Sequence, residues 1–257
     1  MTNRPASQVE RALDKGKLEA FATQVLARLE KPAVPAETVF VDRLFDISLA
    51  AEEVYSSEIH SFLALPGLTP SCVIDTCIPE VARRAGALWV ADNLSFVDVT
   101  LVGARMHALC KLLNDAWDIR SGPARLHVRV ATAPNEQHMI GSIVLASQLR
   151  RWGCSVKVQT GTSSQAMIRT LANGAYDAVL ISAANSFTLD SAVQFVSQVR
   201  NQIERPPRLV IGGQIAELSK PSLENTGADL ITSDFKVALA GLGQAGPSPD
   251  KSVTIEK

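Results

Sequence analysis

The hydrophobic pattern of the chain changes near residue 123, and this change constrains the fold more than any other feature of the sequence. From there on, short apolar runs rich in Val, Ile and Leu alternate with segments whose apolar residues recur at helical spacing. Such alternation predicts an α/β domain with a doubly wound, five-stranded parallel sheet, flavodoxin-like in class, with right-handed crossovers. The predicted strands are Arg125 to Ala131, Ser155 to Val158, Ala178 to Ser182, Arg208 to Ile211 and Ala228 to Ile231. The predicted helices are Met139 to Arg151, Ser163 to Ala172, Leu189 to Ile203 and Asp234 to Leu242.

Before residue 123 the pattern is helical, and no strand alternation is present. Residues 1–122 are therefore expected to form a helical bundle, with a linker at Ser121-Gly122-Pro123. Residues 123–243 then form the α/β domain, and residues 244–257 are expected to form a flexible tail. A break around Asp92-Asn93 predicts the N-cap region of the last helix of the bundle, with Asp92 and Ser95 as its candidate N-cap residues. The predicted helices of the bundle are Lys15 to Glu30, Thr38 to Ala50, Ala51 to Leu65, Thr69 to Asp92 and Ser95 to Asn114.

The first of these predicted helices, Lys15 to Glu30, is amphipathic. Pro32 and Pro35 follow it and end the helical pattern. We expect its apolar face to pack against the rest of the helical domain, and docking of a partner protein is the alternative. The apolar residues of that face are Leu18, Phe21, Val25, Leu26 and Leu29.

The composition limits the classes of function that the chain can have. Of its 257 residues 46% are hydrophobic, and 25 Lys and Arg residues are balanced by 26 Asp and Glu residues. A formal net charge of -1 is not the basic footprint of a protein that binds nucleic acid by itself, so no direct contact with nucleic acid is expected. No apolar run reaches the roughly 18 residues of a membrane span, and the N-terminus lacks the apolar core of a signal peptide. We therefore expect a cytoplasmic protein whose scattered cysteines are reduced thiols.

A histidine lies where the first predicted strand gives way to a helix. It is His138, in the stretch Glu136 to Gly141, after the breaker Pro134-Asn135. Ser182 ends the third predicted strand, and Gly212-Gly213 follows the fourth. Because the carboxyl ends of parallel strands share one edge of a sheet, these residues are expected to line one crevice. The paired glycines would let a planar cofactor approach the backbone closely.

The order of these motifs resembles the cobalamin-binding domain family. This chain has E-x-H-x-x-G after the first strand, a serine at the end of the third and G-G after the fourth. The family pattern is D-x-H-x-x-G, S-x-L and G-G, and the resemblance covers the whole α/β half. It implies a cobalamin (vitamin B12) cofactor in the adenosyl or hydroxo form. Glu136 stands where the family has aspartate, and Ala184 stands where it has leucine.

The same resemblance implies a role for each matching residue. His138 would be the lower axial ligand of cobalt, and Glu136 would fix the tautomer of the histidine and raise its basicity. Gly141 would leave room for the nucleotide tail of the cofactor. Ser182 would hydrogen-bond the buried base of that tail. Gly212 and Gly213 match the family pattern without change.

A second signature lies in the helical half, from Trp89 to Thr100, and reads W-V-A-D-N-L-S-F-V-D-V-T. It resembles that of AerR/PpaA-type regulators of photosynthetic bacteria, which join a short helical region to a cobalamin-binding domain. These regulators antagonise a PpsR/CrtJ-type repressor of photosynthesis genes. In related cobalamin photoreceptors a tryptophan caps the upper face of cobalt, which implies this role for Trp89. Their upper ligand comes from a Glu-His pair that is Val99-Thr100 here, and His107, two helical turns further on the same face, is the candidate substitute.

The resemblance implies a light-responsive transcriptional antirepressor and not an enzyme. Light-driven ligand exchange at cobalt would change the docking of the helical half, and the partner repressor would bind the two states differently. Two other functions stay open. A corrinoid methyl carrier of a methyltransferase system shares the motifs, and a haem-binding redox sensor, with haem on His138, shares the fold. Gly141 and Ser182 favour cobalamin, because haem has no nucleotide tail.

Overall fold

The structure is a computed structural model that describes residues 36–63, 68–115, 124–218 and 223–243. The predicted helix Lys15 to Glu30, the predicted linker Ser121-Gly122-Pro123 and the predicted tail 244–257 lie outside these ranges. The boundary between the two domains therefore stays a prediction. Within the described ranges, no helix is both long and apolar enough to cross a bilayer.

The described part of the first half is helical, as the apolar spacing predicted. A short helical turn (Pro70–Cys72) and a π-helical turn (Val73–Cys77) lead into its third helix. The apolar pattern did not predict the π-helical turn, because one widened turn leaves the helical spacing on either side intact. The helices are α1 (Ala36–Ile47), α2 (Glu52–Leu63), α3 (Ile78–Val90) and α4 (Phe96–Asp115).

Apolar side chains from all four helices meet in one core. Each buried member is at most 8% exposed, and burying such a side chain contributes roughly 1.5–3 kcal/mol. Packing of the apolar faces therefore stabilises these helices more than their intrinsic propensity does. Representative members of the core are Leu44, Ile59, Ile78, Val81 and Met106.

The turn between α3 and α4 closes a helical hairpin. The predicted break is confirmed, since Asp92 adopts a left-handed conformation with φ of 56°. The N-cap of α4 is Ser95, as the sequence predicted. Its hydroxyl oxygen accepts a hydrogen bond from the Asp98 N–H at 3.1 Å, and the Asp98 carboxylate accepts hydrogen bonds from the Ser95 hydroxyl at 2.6 Å and from the Ser95 N–H at 3.3 Å. The two backbone N–H bonds form a capping box that determines where α4 begins.

The second half contains the predicted parallel sheet, with five strands in the order β2-β1-β3-β4-β5. All neighbouring strands run parallel. The strands are β1 (His127–Thr132), β2 (Ser155–Gln159), β3 (Ala178–Ser182), β4 (Arg208–Gly212) and β5 (Leu230–Ile231). The helices are α5 (Ile140–Arg151), α6 (Ser164–Ala172), α7 (Ser186–Gln202), α8 (Ile215–Leu218), α9 (Leu223–Thr226) and α10 (Phe235–Gly243). The sequence did not predict α8 and α9, because four residues are too few to show a helical period.

Helices cover both faces of this sheet. On one face α5 and α10 pack on side chains that include Val128, Val130 and Val210. On the other face α6 and α7 pack on Val179, Ile181 and Ile211. Strands that are buried on both faces read as near-continuous apolar runs, which is why β1, β3 and β4 stand out in the sequence.

The strand register shows that the carboxyl ends of the three central strands lie at one edge of the sheet. Thr132 pairs with Ser182, and Ser182 pairs with Gly212, so β1, β3 and β4 end at the same level. The chain leaves β1 for a helix on one face and leaves β3 for a helix on the other face. Ligands of open α/β sheets bind at such a switch point, outside the carboxyl ends of the strands.

Helix α5 joins the two halves. Ile140, Ile143 and Val144 pack into the core of the helical half, whereas Ala146 and Leu149 pack on the sheet. Polar contacts add to this joint. Arg151 of α5 donates to both carboxylate oxygens of Asp75, at 2.6 and 2.5 Å, and Ser147 donates to the side-chain oxygen of Asn114 at 2.6 Å.

Candidate functional site

The loop after β1 brings Glu136 and His138 together at the carboxyl edge of the sheet. Asn135 turns the chain there with φ of 66°. The Glu136 side chain is only 1% exposed. Its carboxylate accepts hydrogen bonds from Nδ1 of His138 at 2.5 Å, from the His138 N–H at 2.8 Å and from the Ala184 N–H at 2.8 Å. The glutamate, longer than the aspartate of the family, thus reaches the histidine.

Burial and hydrogen bonding act in opposite directions on the pKa of Glu136. Burial raises it, but the bonds from His138, the Ala184 N–H and Thr188 outweigh burial and lower the pKa to about 2. The hydrogen bond to Glu136 raises the pKa of His138 above its ordinary value, and partial burial of the imidazole opposes this shift. Glu136 is therefore ionised at neutral pH and holds a proton on Nδ1 of His138.

The imidazole of His138 faces outward from the rim, with 72% of its side chain exposed. Because Glu136 engages Nδ1, Nε2 is the nitrogen that remains for an external ligand. The carboxylate also makes Nε2 more basic and orients the ring. The described residues contain no group of three or more His, Cys, Asp and Glu that could hold a bare metal ion. A single outward imidazole therefore suits a metal whose other ligands come from a macrocycle.

The sequence did not predict two partners of Glu136. Thr188 is buried in the first turn of α7 and hydrogen-bonds Glu136. It also forms a capping box with Asn185, which accepts from the Thr188 N–H at 3.0 Å and donates its own N–H to the Thr188 hydroxyl at 3.2 Å. The second partner is the Ala184 N–H. The N-x-x-T spacing before an apolar helical run was the signal that would have indicated the position of Thr188.

Gly212 and Gly213 allow a close approach of backbone segments beside Ser182. Gly213 has φ of 94°, and a Cβ there would lie 2.5 Å from the carbonyl oxygen of Ala183 and 3.0 Å from the Ser182 hydroxyl. A Cβ at Gly212 would lie 2.8 Å from the carbonyl oxygen of Thr232. Only glycine fits at both positions, so the rim at this point is a surface of backbone.

A cleft opens at this edge between α5, the ends of β3 and β4, and the start of α10. It has about 300 Å³ of empty space, part of it open to solvent. Its walls are mostly apolar, with a few polar groups. The lining residues are Leu145, Leu180, Ile181, Ser182, Val210, Gly212, Thr232, Ser233, Asp234, Phe235 and Ala238. Ala184, which the resemblance implies as a wall of the tail pocket, is not among them and contributes its N–H to Glu136 instead.

The first turn of α5 connects the imidazole to this cleft. A Cβ on Gly141 would meet nothing within 4 Å, so open space adjoins the helix beside His138. Ser142 is fully buried, yet its hydroxyl has no hydrogen-bond partner among the described residues. One turn later Leu145 lines the cleft. An unpaired buried hydroxyl is destabilising by about 1–3 kcal/mol, and a ligand with a polar atom at this point would satisfy it.

Helix α4 packs beside α5. The side chains of Asn114 and Ser147 form a hydrogen bond between the two helices, and Val99 packs in the same core as Ile140. At 1.5 Å per residue, α4 extends about 27 Å from Asn114 back to its start, whereas α5 extends about 10 Å from Ser147 back to its start.

Two aromatic side chains lie beside the turn of the α3–α4 hairpin. Trp89 is 47% exposed and Phe96 is 69% exposed, and their ring centroids lie 6.5 Å apart. Phe96 shares a face of α4 with Asn114, because the two are about five full turns apart. His107, exposed and two turns before Asn114, lies close to the same face. No contact in the described part of the chain joins any of these three side chains to His138, and the sequence had not indicated Phe96.

Comparison with solved structures agrees with the architecture. The chain aligns with the monomethylamine corrinoid protein of Methanosarcina barkeri at a TM-score of 0.60, over 80% of this chain and 96% of that chain. The sequence identity is 13%, so the likeness shows the fold alone. The order of helical half and parallel sheet is thus that of a corrinoid protein. No family model matches the chain.

Comparison of sequences finds a relative in Rhodobacter capsulatus, the uncharacterized 20.5 kDa protein in the bchF-crtJ intergenic region. The two sequences are 31% identical over 168 residues, which span 63% of this chain and 86% of the relative. A match of this length and identity shows common descent over most of the relative. The chain therefore belongs to the family of the bchF-crtJ intergenic-region protein.

Proposed function

We propose that the protein binds cobalamin through His138 and acts as a light-responsive regulator that antagonises a PpsR/CrtJ-type repressor of photosynthesis genes. The observation that carries the proposal is the Glu136–His138 pair. The buried carboxylate holds a proton on Nδ1, and Nε2 faces outward at the carboxyl edge of the sheet. This is the arrangement that a single axial ligand of a macrocycle-bound metal needs.

The residues around this pair fit the cofactor. Cobalamin would supply a cobalt ion whose axial ligands can be exchanged, by light among other means. His138 would hold the cobalt, and the cleft that Ser182 and Gly212 line would accept the nucleotide tail. The open space at Gly141 adjoins the first turn of α5, beside His138.

The regulatory part of the proposal rests on the helical half and on the relative. In this proposal a ligand on His138 would lie within reach of the hairpin that carries Trp89. A change at that ligand would alter the docking of the hairpin and the surface that a partner meets. The relative is named for the bchF-crtJ intergenic region, and a CrtJ-type repressor is the partner that the signature from Trp89 to Thr100 implies.

A corrinoid methyl carrier is the second candidate, favoured by the fold that the chain shares with the monomethylamine corrinoid protein. Such a carrier must present the upper face of cobalt to methyltransferases. Against it stands the signature from Trp89 to Thr100, which resembles that of the AerR/PpaA-type regulators. A haem sensor would use the same His138 but would leave the apolar cleft without a function.

The binding step is tested by absorption spectra of the purified protein with hydroxocobalamin and with adenosylcobalamin. We expect the wild type to bind cobalamin with a shifted cobalt spectrum, and His138→Ala to lose the shift. His127→Ala is the matched control, since His127 is exposed at the amino end of β1. Identical spectra for wild type and His138→Ala would contradict the ligand assignment. Uptake of haem in place of cobalamin would favour the haem sensor.

The regulatory step is tested with a purified PpsR/CrtJ-type repressor and its promoter DNA. We expect the cobalamin-loaded protein to weaken repressor binding to DNA to different extents in light and in darkness. His138→Ala should abolish that difference. Light-independent behaviour of the loaded wild type, with turnover in the presence of a methyltransferase, would favour the methyl carrier instead.

A further inference from the structure

An apolar stripe runs along the outer side of α4, and we call it the outer stripe. Its side chains follow one another three or four residues apart, and they face away from the buried residues Val102, Met106 and Leu109. Val97 is 72% exposed and Leu112 is 49% exposed. The members of the outer stripe are Val97, Leu101, Ala104, Ala108 and Leu112.

The outer stripe is unusual for a surface helix. The side of such a helix that faces away from the core is normally polar. Here both sides of α4 are apolar over about 23 Å, from Val97 to Leu112. A continuous exposed apolar surface on a soluble protein normally marks a contact with another element or partner, and the described elements leave this side open.

We propose that the apolar face of residues Lys15 to Glu30, which lie outside the described ranges, packs on the outer stripe. The sequence of this segment has its larger apolar side chains at Leu18, Phe21, Val25, Leu26 and Leu29, on one helical face. As a helix its sixteen residues would extend about 24 Å, which matches the length of the outer stripe. An apolar face and an apolar stripe of equal length are thus present in one chain.

The position of α1 makes this contact reachable. The end of α1 lies beside the middle of α4, because Arg105 donates to the carbonyl oxygens of Ser48 and Ala50 at 3.0 and 2.7 Å. Asp42, in the middle of α1, contacts Arg84, which lies about 9 Å before the end of α3, whereas Arg105 lies about 13 Å after the start of α4. The start of α1 therefore lies toward the turn of the α3–α4 hairpin.

The linker between the segment and α1 consists of residues 31–35, which can span about 17 Å. Because the start of α1 lies toward the hairpin turn, the segment would begin its contact near the start of α4 and run antiparallel to α4. Leu29 would then lie near Val97, and Leu18 would lie near Leu112. The contact would add a helix to the α3–α4 hairpin.

Thiol labelling of the full chain without cofactor tests this contact. The background carries Cys72→Ser, because Cys72 is half-buried while Cys77, Cys110 and Cys154 are buried. Ala108→Cys reports on the outer stripe. Ala172→Cys, exposed at the end of α6 in the other half, is the matched control for an uncovered helix position.

We expect N-ethylmaleimide to alkylate Ala108→Cys at least about tenfold more slowly than Ala172→Cys. Adding Val25→Glu with Leu29→Glu should raise the rate at Ala108→Cys to that of the control. Thr23→Glu, on the opposite side of the segment, should leave the rate low. Cys110 that stays unlabelled in every variant shows that the core is intact.

Equal rates at the two reporter positions would overturn the proposal. So would slow labelling of Ala108→Cys that persists with Val25→Glu and Leu29→Glu. If that persistent protection also grows with protein concentration, a second copy of the chain covers the outer stripe in place of the segment.

Discussion

At the scale of single residues, a buried carboxylate determines what an exposed histidine can do. His138 is largely exposed, and an exposed imidazole ordinarily exchanges its proton between both nitrogens near neutral pH. Glu136 removes that freedom, since its lowered pKa keeps it ionised and it engages Nδ1. The buried carboxylate of Glu136 thus determines that Nε2 of His138 is the nitrogen available at the rim.

Glu136→Gln tests this dependence. Glutamine keeps the size of the side chain but removes the charge that fixes the tautomer of His138 and raises its basicity. We expect cobalamin affinity to fall by about 10- to 100-fold, measured by absorption titration with hydroxocobalamin. Glu53→Gln, at an exposed carboxylate in the first turn of α2, should bind as the wild type does. Equal affinities for all three proteins would contradict a role of Glu136 in binding.

The same pair predicts a pH dependence of folding stability. The lowered pKa of Glu136 contributes stability that is present above its unfolded pKa of about 4.3 and is lost as the pH falls toward 2. The raised pKa of His138 contributes stability that is present below its unfolded pKa of about 6.5 and is lost as the pH rises through the folded pKa. Both contributions are present together between about pH 4.3 and 6.5.

Urea denaturation of the cofactor-free protein measures this window. The difference in free energy of unfolding between wild type and Glu136→Gln should be largest between about pH 4.3 and 6.5, and should shrink on either side. Glu53→Gln provides the baseline for removing an exposed carboxylate. A difference that does not change between pH 3 and 8 would show that Glu136 and His138 are not coupled in the folded state.

At the scale of elements, helices and strands are positioned by their ends. Ser95 defines the start of α4, and the capping box of Asn185 and Thr188 defines the start of α7. At the end of β4, Gly212 and Gly213 let the backbone pass so closely that no side chain fits. These ends, more than the middles of the elements, shape the rim on which the proposed cofactor site lies.

Gly213→Ala tests the importance of the β4 end. The new Cβ would lie 2.5 Å from the Ala183 carbonyl oxygen, in a backbone conformation with φ of 94°. We expect a loss of about 1–3 kcal/mol in the free energy of unfolding. Circular dichroism melting should show a lower Tm. Gly86→Ala, in the middle of α3 where a Cβ meets nothing within 4 Å, should keep or slightly raise the Tm because alanine favours helix.

At the scale of the whole molecule, α5 connects the two halves because it packs on both of them. One side of it belongs to the helical core and the other side to the sheet, and its first turn adjoins His138. A displacement of α5 by a ligand at the rim would therefore change the packing of both the helical core and the sheet. The contact of Arg151 with Asp75 lies at the far end of the same helix.

A double-mutant cycle on Asp75→Ala and Arg151→Ala measures the strength of that joint. The two side chains are only 32% and 23% exposed and make a two-point contact. We expect a coupling energy of about 1–2 kcal/mol in the free energy of unfolding. The pair Arg43 and Glu58, whose arginine is 47% exposed, should give a smaller coupling because solvent screens it. Coupling energies of equal size would mean that the joint is no stronger than a surface ion pair.

Much of the architecture could be predicted because apolar periodicity is a local property. Helices and strands differ in their repeat, so β3 was predicted at its observed bounds and the other strands within a few residues. The meeting of His138, Ser182 and Gly212-Gly213 at one edge follows from the rule that parallel strands end together. The role of Thr188 could not be predicted in this way, because it depends on the distance between two loops that are far apart in sequence.

The sequence by itself determined the class of the fold and the line of residues at its rim, since both follow from short-range spacing of side chains along the chain. Only the tertiary structure decided that Glu136 is buried and shared among His138, Ala184 and Thr188, and that α5 packs on both the helical core and the sheet. Those features depend on how far apart packed elements lie and at what height they meet. Such distances are set by the packing of whole faces in the core, and no local pattern in the chain contains them.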